Sequence, residues 1–471
     1  MNNKSFIYLF SKIISAFLNL LIIYFFTRFF STKLYGEFLL FSSYVLFISS
    51  FVFWWHRLSV YRYFHKFKSI LNNYLKTTYI SFYYICFFII FLIFILFFLD
   101  FKNILIVKNI LLISLIAALF KSNFDLNQNL LNISKNDVLY GINVILRPLL
   151  FLIICLLIKK YYPDENNTLF FGFILSFFLA SLYSNYLFQS KMVGGFFDYK
   201  IIKKFCSYGF PLTGLFLFDY ILTSSDRIII GYFLGPESVG IYGANYDLIK
   251  QFLLFLMIVQ NLILYPELNK KYEQKDYNDV KKLMSLNLAV FYIVFAPLVC
   301  FIAIFSDLIS GTFIGSDFNY TSSSLIPIFS LTFFLWGMKI YHFDYIFFLK
   351  EKTFTSMKIL FFGSLINFIL NVIAIPKFGI VGASVSTLFS YLICLIASYN
   401  FGRSFLKYRF NSSLLLKTIL ILIILSSLTL ILKNLNIHFL YQVVFYIVSY
   451  CFLFFKYNST IINEYLVRFY K

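Results

Sequence analysis

The chain has 471 residues, of which 61% are hydrophobic, 23% aromatic and only 13% charged. Soluble domains carry about 25% charged residues, so a water-soluble enzyme and an extended disordered chain are both excluded, and the expected solvent is a bilayer. The formal net charge of +20 would point to nucleic acid on a soluble protein; here it is read loop by loop, because membrane proteins gather Lys and Arg on one face.

A membrane-spanning helix needs about 20 mostly apolar residues. Fourteen such runs follow one another: 6–30, 38–56, 78–99, 104–124, 138–158, 168–190, 207–232, 239–264, 284–306, 323–349, 356–375, 379–400, 414–432 and 438–456. They are continuous rather than alternating, which excludes an outer-membrane barrel. The first run is too long for a signal-peptide core and has no A-x-A site after it, so it reads as an uncleaved first helix. With the N-terminus inside, basic residues in cytoplasmic loops outnumber those outside by roughly four to one. The expected topology is multi-pass, with both termini cytoplasmic. The longest loop, 57–77, is basic; Arg57 and Arg62 at its start either meet anionic lipid or simply follow the charge bias.

Several chemistries are absent. No GxxxxGK[ST] occurs, and no loop has room for a nucleotide-binding domain. GxSxG, HExxH, paired-carboxylate motifs and a large external loop are missing too, so no catalytic site and no enzyme is expected. Cys86, Cys155, Cys206, Cys300, Cys394 and Cys451 are dispersed, as are His56, His65, His342 and His438. Buried inert thiols are expected, with no metal centre.

An internal repeat emerges at a shift of 204 residues. FFSTKLYGEF (29–38) and FLGPESVGIY (233–242) align Phe29 with Phe233, Gly36 with Gly240 and Phe38 with Tyr242. Six spans lie between them, so the halves have parallel topology. The expected domains are a six-helix lobe at 1–200, a second at 201–400, and two further helices with a cytoplasmic tail at 401–471. The fold class is all-α integral membrane, two lobes related by a pseudo-twofold repeat.

What remains to carry function is charge within the spans. An ionised side chain at mid-helix costs about 2.5–3.5 kcal/mol on insertion scales. Arg147 sits near the middle of the fifth span beside Pro148, too deep to snorkel. It is either a cavity cation for an anionic substrate or a structural partner for a carboxylate on another helix. Asp226 and Arg227 are adjacent in the seventh span and point about 100° apart, so each seeks another helix; Asp219 lies seven residues before Asp226. These form either a structural clasp or a gating or coupling site. Asp247 and Lys250 have the spacing of a local ion pair. Lys339, His342 and Asp344 cluster in the tenth span, where a proton or sodium relay is one reading. Lys108 and Arg28 sit at span ends, where snorkelling is the plain reading. Arg28 also precedes the repeated turn and stays a candidate. Asp125 reads as a solvated helix end. Phe87, Phe88, Phe91 and Phe94 form a stripe that reads as lipid-facing or packing.

DRIIIGYFLGPESVGIY (226–242), preceded by YGFPLTGLFLFDYIL (208–222), resembles the hallmark segment of polysaccharide-repeat-unit flippases in the multidrug/oligosaccharidyl-lipid/polysaccharide exporter superfamily. TRFFSTKLYGEFLLFSSYV (27–45) is similar to that family's first turn, with Ser31 where the family has Gly. NVIAIPKFGIVGASVSTLFSYL (371–392) resembles a later turn, with Pro376, Gly379 and Gly382. The resemblance covers about residues 1–410. It implies two six-helix lobes around a central cavity, an Asp-Arg pair at Asp226 and Arg227, and outward translocation of an undecaprenyl-diphosphate-linked oligosaccharide (O-antigen, capsule or similar) in the bacterial inner membrane. On this reading Arg147, Arg227, Lys339, Arg28 and Lys250 meet the anionic headgroup. Asp226, Asp219, Asp247, Asp344 and His342 serve gating or ion coupling. The expected partners are the lipid-linked oligosaccharide, membrane lipids and other polysaccharide-assembly proteins, with no nucleic acid. No cofactor is expected beyond possible coupling to H+ or Na+. A drug/cation antiporter of the same superfamily and a non-transport component of glycan assembly are the alternatives.

Overall fold

The computed structural model describes residues 3–98, 105–163, 165–405, 412–435 and 437–453. The expected cytoplasmic tail after 453 and the side chain of Lys108 lie outside the described residues. The described elements are helical throughout, without a strand. In chain order the longer helices are α1 Asn3–Phe29, α2 Thr32–Tyr63, α3 Leu71–Phe98, α4 Leu105–Ile133, α5 Asp137–Tyr161 and α6 Thr168–Ser190. There follow α7 Tyr199–Glu273, α8 Tyr277–Ile304, α9 Ser322–Leu349, α10 Thr353–Phe405, α11 Ser412–Asn434 and α12 Phe439–Leu453. The chain is an all-α, multi-pass membrane protein. Eleven of its described helices are long and apolar enough to cross a bilayer.

The long helices are broken where the sequence demands it. α7 and α10 each cover two of the expected spans, and each changes course at a glycine: Gly235 (φ 83°, ψ 172°) and Gly379 (φ 61°, ψ −146°). Both lie in backbone regions that only glycine enters cheaply. The turn between α1 and α2 is solved differently. Ser31 stands there in extended conformation, and its hydroxyl accepts from the Leu34 N–H at 3.3 Å. The serine at the family's glycine position therefore works as a helix N-cap. The loop expected at 57–77 is corrected: α2 continues to Tyr63, and a short 3₁₀ turn, His65–Ile70, leads into α3. A basic, half-apolar sequence can extend a helix past the hydrocarbon, and hydropathy alone ends it too early.

Two compact units are formed, residues 1–244 with 364–383, and residues 245–363 with 384–471. In the first, α1 and α6 flank α5, and α4 packs on α2 and α6. Phe26, Phe38, Phe41, Phe151 and Phe173 interlock as an aromatic core, with centroids 5.1–6.1 Å apart. The first part of α7 joins this unit: Tyr220 donates to the Ser43 carbonyl at 2.8 Å and Ser59 to the Phe205 carbonyl at 2.8 Å. In the second unit, Leu264, Leu283, Met284 and Ile346 build one cluster, and Ile304, Ile421, Leu425 and Tyr446 another. Phe87, Phe88, Phe91 and Phe94 of α3 are all exposed, as lipid-facing residues would be. Of the six thiols, Cys155 and Cys394 are buried, Cys86, Cys206 and Cys300 are half-buried, and Cys451 is exposed. The uniformly buried set expected from sequence is corrected accordingly.

The two glycines aligned by the repeat meet each other. A Cβ on Gly36 would fall 1.7 Å from the Pro236 carbonyl oxygen, and one on Gly240 would fall 2.2 Å from that of Thr32. Backbone lies on both sides, so no flexible side chain can yield. Gly36→Ala is expected to destabilise the purified protein by about 1–3 kcal/mol, read as a lowered melting temperature in detergent. Gly311→Ala, where an added methyl meets nothing within 4 Å, is expected to leave it unchanged.

Candidate functional site

Among the described residues, three charged clusters lie within the spans, and they differ in how completely their charges are compensated. The first is closed. Lys339 and Asp344 form an ion pair at 2.6 Å, with side chains 1% and 5% exposed. Five residues apart on an α-helix point about 140° apart. Here residues 339–343 form a π turn, in which the Asp344 N–H bonds to the Lys339 carbonyl. The wider turn brings the two side chains together. Ser398 donates to the other Asp344 oxygen at 2.8 Å, and Trp336 lies under the ammonium at 5.0 Å. His342 is fully buried beside this pair. The Asn287 amide donates to its Nδ1 at 3.1 Å and to the Tyr341 carbonyl at 2.8 Å, and Gln260 donates to Asn287 in turn. Lys339 thus carries no uncompensated charge, and Asp344 is dry rather than wet.

The second cluster surrounds the break in α7. Asp226 is buried, and the Tyr242 hydroxyl donates to it across the bend at Gly235. Arg227 is buried beside Gly243. In the first repeat half, the positions matching Asp226 and Tyr242 are Ile22 and Phe38, both buried. The polar clasp therefore belongs to the second half alone. Asp219 is half-buried one segment earlier, and Asp247 and Lys250 are half-buried in the second unit, with Lys250 Nζ 5.5 Å from the Tyr246 ring. Arg28 is exposed. Its guanidinium donates to the Tyr24 carbonyl at 3.0 Å and stacks on that ring at 3.8 Å, within its own helix.

The third cluster is open. A cavity of about 390 Å³ lies among α1, α2, α4, α5 and α6, lined by Ser15, Asn19, Ser42, Lys121, Arg147 and Phe177 among others. Arg147 projects over the rings of Phe177, Phe173 and Phe151, at 4.4, 5.3 and 5.4 Å. Its Nε is buried without a hydrogen-bond partner. Lys121 shares the cavity wall and pairs with Asp125 at 2.6 Å. The same carboxylate oxygen takes Arg57 at 2.7 Å, and Arg57 stacks on Trp54 at 3.8 Å. Asp125 is also the carboxylate close enough to act electrostatically on Arg147. Behind it, a water-sized space is lined by His56, Arg57, Ser49 and Ser122.

Of the residues expected from sequence, Arg147 is thus placed on a cavity. Lys339, His342 and Asp344 come together in a closed network, and Asp226 meets Tyr242. Arg28 lines neither of the two cavities beside Asp125. Sequence reasoning missed Lys121 and gave Arg57 and Asp125 other roles, the first at the start of a basic cytoplasmic loop and the second as a solvated helix end. The expected fourth span stopped at 124, yet α4 runs to Ile133, so Asp125 is mid-helix and paired, not a solvated end. The available signal was the i, i+4 spacing of Lys121 and Asp125. Among the described residues, no group of three His, Cys, Asp or Glu could hold a metal ion.

A family model for "Polysaccharide biosynthesis protein" matches residues 166–323, which include the whole of the second cluster's clasp. A probable low-salt glycan biosynthesis flippase of Haloferax volcanii is 27% identical over 199 residues, covering 41% of this chain and 40% of that protein. The chain thus spans less than half the length of that relative. The fold is similar to that of the lipid II flippase MurJ in an inward closed conformation, with TM-score 0.72 at 16% identity over 98% of this chain and 99% of that one. It is also similar to an inward-facing multidrug resistance transporter of the MATE family, with TM-score 0.61 at 11% identity, covering 86% and 94%. At these identities the likeness is one of fold. The matches in sequence and the likeness in fold support the resemblance to polysaccharide-repeat-unit flippases of the multidrug/oligosaccharidyl-lipid/polysaccharide exporter superfamily read from 208–242.

Removing one partner of a buried ion pair strands the other charge, at about 3–5 kcal/mol. Lys339→Met alone is expected to lower the melting temperature sharply. Lys339→Met with Asp344→Leu is expected to recover most of the loss. Equal damage from the single and double variants would show that the pair is not what holds this turn.

Proposed function

We propose that the chain is a flippase that carries a lipid-linked oligosaccharide across the bacterial inner membrane, from the cytoplasmic to the outer leaflet, by alternating access. The observation that carries this reading is the charge of the open cluster. Three cations, Arg57, Lys121 and Arg147, stand against one carboxylate, Asp125, leaving two positive charges beside a cavity of about 390 Å³. That volume falls within the usual range for small-ligand sites, about 300–1,000 Å³. A diphosphate diester, the linkage between a polyprenol such as undecaprenol and its sugar, carries two negative charges. Its oxygens accept from guanidinium and ammonium groups in short, charge-assisted bonds.

The names of the relatives point the same way, since one is described as a glycan biosynthesis flippase and another as a lipid II flippase. A second feature fits the lipid part. An apolar groove of about 420 Å³ runs between α8 and α12, lined by Ile293, Pro297, Phe301, Tyr446 and Tyr450. It suits a prenyl chain lying against α12, one of the two helices beyond the repeat. Arg227 and Lys250, and the coupling roles of Asp226, Asp219, Asp247, Asp344 and His342 with H+ or Na+, belong to the same reading, as do other glycan-assembly proteins as partners. A drug/cation antiporter needs an anionic cavity for cationic cargo, and the sign here is opposite.

In liposomes, the purified chain is expected to move a fluorescent polyprenyl-diphosphate-linked sugar between leaflets, and Arg147→Gln to slow it by about tenfold or more. Unchanged transport in Arg147→Gln would remove the cavity from the mechanism. Efflux of a cationic dye in place of lipid transport would favour the antiporter. Neither activity would leave a non-transport role in glycan assembly.

A further inference from the structure

Asp125 has no part in the scheme so far except as a charge to be subtracted. Its position is particular. One of its oxygens holds two cations at once, Lys121 at 2.6 Å and Arg57 at 2.7 Å. These two cations face different spaces. Lys121 lines the larger cavity together with Arg147. Arg57 lies on the other side, in the wall of the water-sized space, anchored on Trp54, which itself stacks on Phe216 at 4.3 Å. Asp125 lines only the smaller space. A ligand in the larger cavity thus meets Lys121 and Arg147 first and the carboxylate only through Lys121.

We propose that Asp125 is the resident counter-ion of the cavity, and that an entering phosphate takes Lys121 away from it. This rests on the flippase reading above and adds a residue that sets affinity and release. The exchange is favoured by three features of the geometry. Lys121 carries its charge on a flexible four-carbon stem with three rotatable donors, so it can turn from carboxylate to phosphate without moving α4. Asp125 keeps Arg57 when Lys121 leaves, so no buried carboxylate is stranded. Among the described residues, Arg147 has no carboxylate at ion-pair distance; it is the fixed cation that draws the anion in, while Lys121 is the exchangeable one. Without substrate, the Lys121–Asp125 bond keeps part of the cavity's charge compensated. With substrate bound, the same carboxylate competes for Lys121 and promotes release. Asp125 is a positioning residue in this scheme, acting on the substrate through Lys121.

The test uses the full chain in nanodiscs, with a short-chain isoprenyl diphosphoryl-N-acetylglucosamine as probe. Asp125→Asn is expected to bind the probe at least tenfold more tightly while slowing its transport in liposomes, because the competitor is gone. Lys121→Gln is expected to bind more weakly. Lys121→Gln combined with Asp125→Asn is expected to bind within about threefold of Lys121→Gln alone, since the carboxylate acts through the lysine and has nothing left to act on. Asp125→Asn that binds as the native chain does, or as weakly as Arg147→Gln, overturns the proposal and leaves the flippase reading standing. A native chain that fails to bind the probe, or an Arg147→Gln chain that binds it undiminished, overturns both. Should Asp125→Asn not fold, a structure of the native chain with the probe decides. Lys121 Nζ on a phosphate oxygen and more than 4 Å from Asp125 is expected; an intact Lys121–Asp125 pair beside the bound probe refutes the exchange.

Discussion

An ionised side chain within a bilayer must find a counter-charge, water or a polar cavity, because hydrocarbon offers it none of these and the cost is about 2.5–3.5 kcal/mol at mid-helix. The charged residues in the spans of this chain can be ordered by how they meet that constraint. Lys339 and Asp344 meet it completely, in a dry pair with a serine on the spare oxygen. Asp226 meets it through a tyrosine on the far side of a helix bend. The group around Asp125 meets it only in part: one carboxylate serves Lys121 and Arg57, while Arg147 rests on three phenylalanine rings at the edge of a cavity. Cation–π contacts soften the cost of a buried guanidinium without cancelling its charge. That incomplete compensation separates a site able to take an anion from a structural lock.

Backbone irregularities make both kinds of cluster. Among the described residues, each of the three π turns, Ser49–Phe53, Phe291–Phe295 and Lys339–Phe343, adjoins a distinctive feature. The first directly precedes Trp54 and Arg57 in α2. The second borders the apolar groove beside α12. The third sets Lys339 over Asp344. A π turn rotates everything after it relative to a regular helix, so side chains that an ideal helix would send apart are brought to one place. The glycines do related work at larger scale. Gly235 and Gly379 turn long helices, and Gly36 with Gly240 lets two chain segments touch backbone to backbone.

These irregularities explain which parts of the protein were legible in the sequence. Hydropathy revealed an all-helical membrane protein, and the repeat at 204 residues picked out Gly36 and Gly240, which turn out to be in contact. Arg147 was recognisable because it is ten residues from either end of an apolar run, where no snorkelling can rescue it. The Lys339–Asp344 pair was not legible as a pair, since i, i+5 spacing implies separate faces on an α-helix. Lys121 and Asp125 were hidden by the edge of an apolar window: the polar residues that follow, with Asn127 and Gln128 next, end a hydropathy run but not a helix. Arg57 was assigned to a loop for the same reason. Composition marks where hydrocarbon ends, whereas a helix lining a cavity continues as long as its backbone bonds do.

The central claim is that the cavity beside Arg147 carries two net positive charges and is matched to a headgroup with two negative ones. The most direct measurement is the affinity of the intact chain for two short-chain isoprenyl sugars that differ only in their linkage, a diphosphate diester with two charges and a monophosphate diester with one. The account predicts at least tenfold tighter binding of the diphosphate, weakening as salt rises. Equal affinity for the two, or a preference for an organic cation over both, would contradict it.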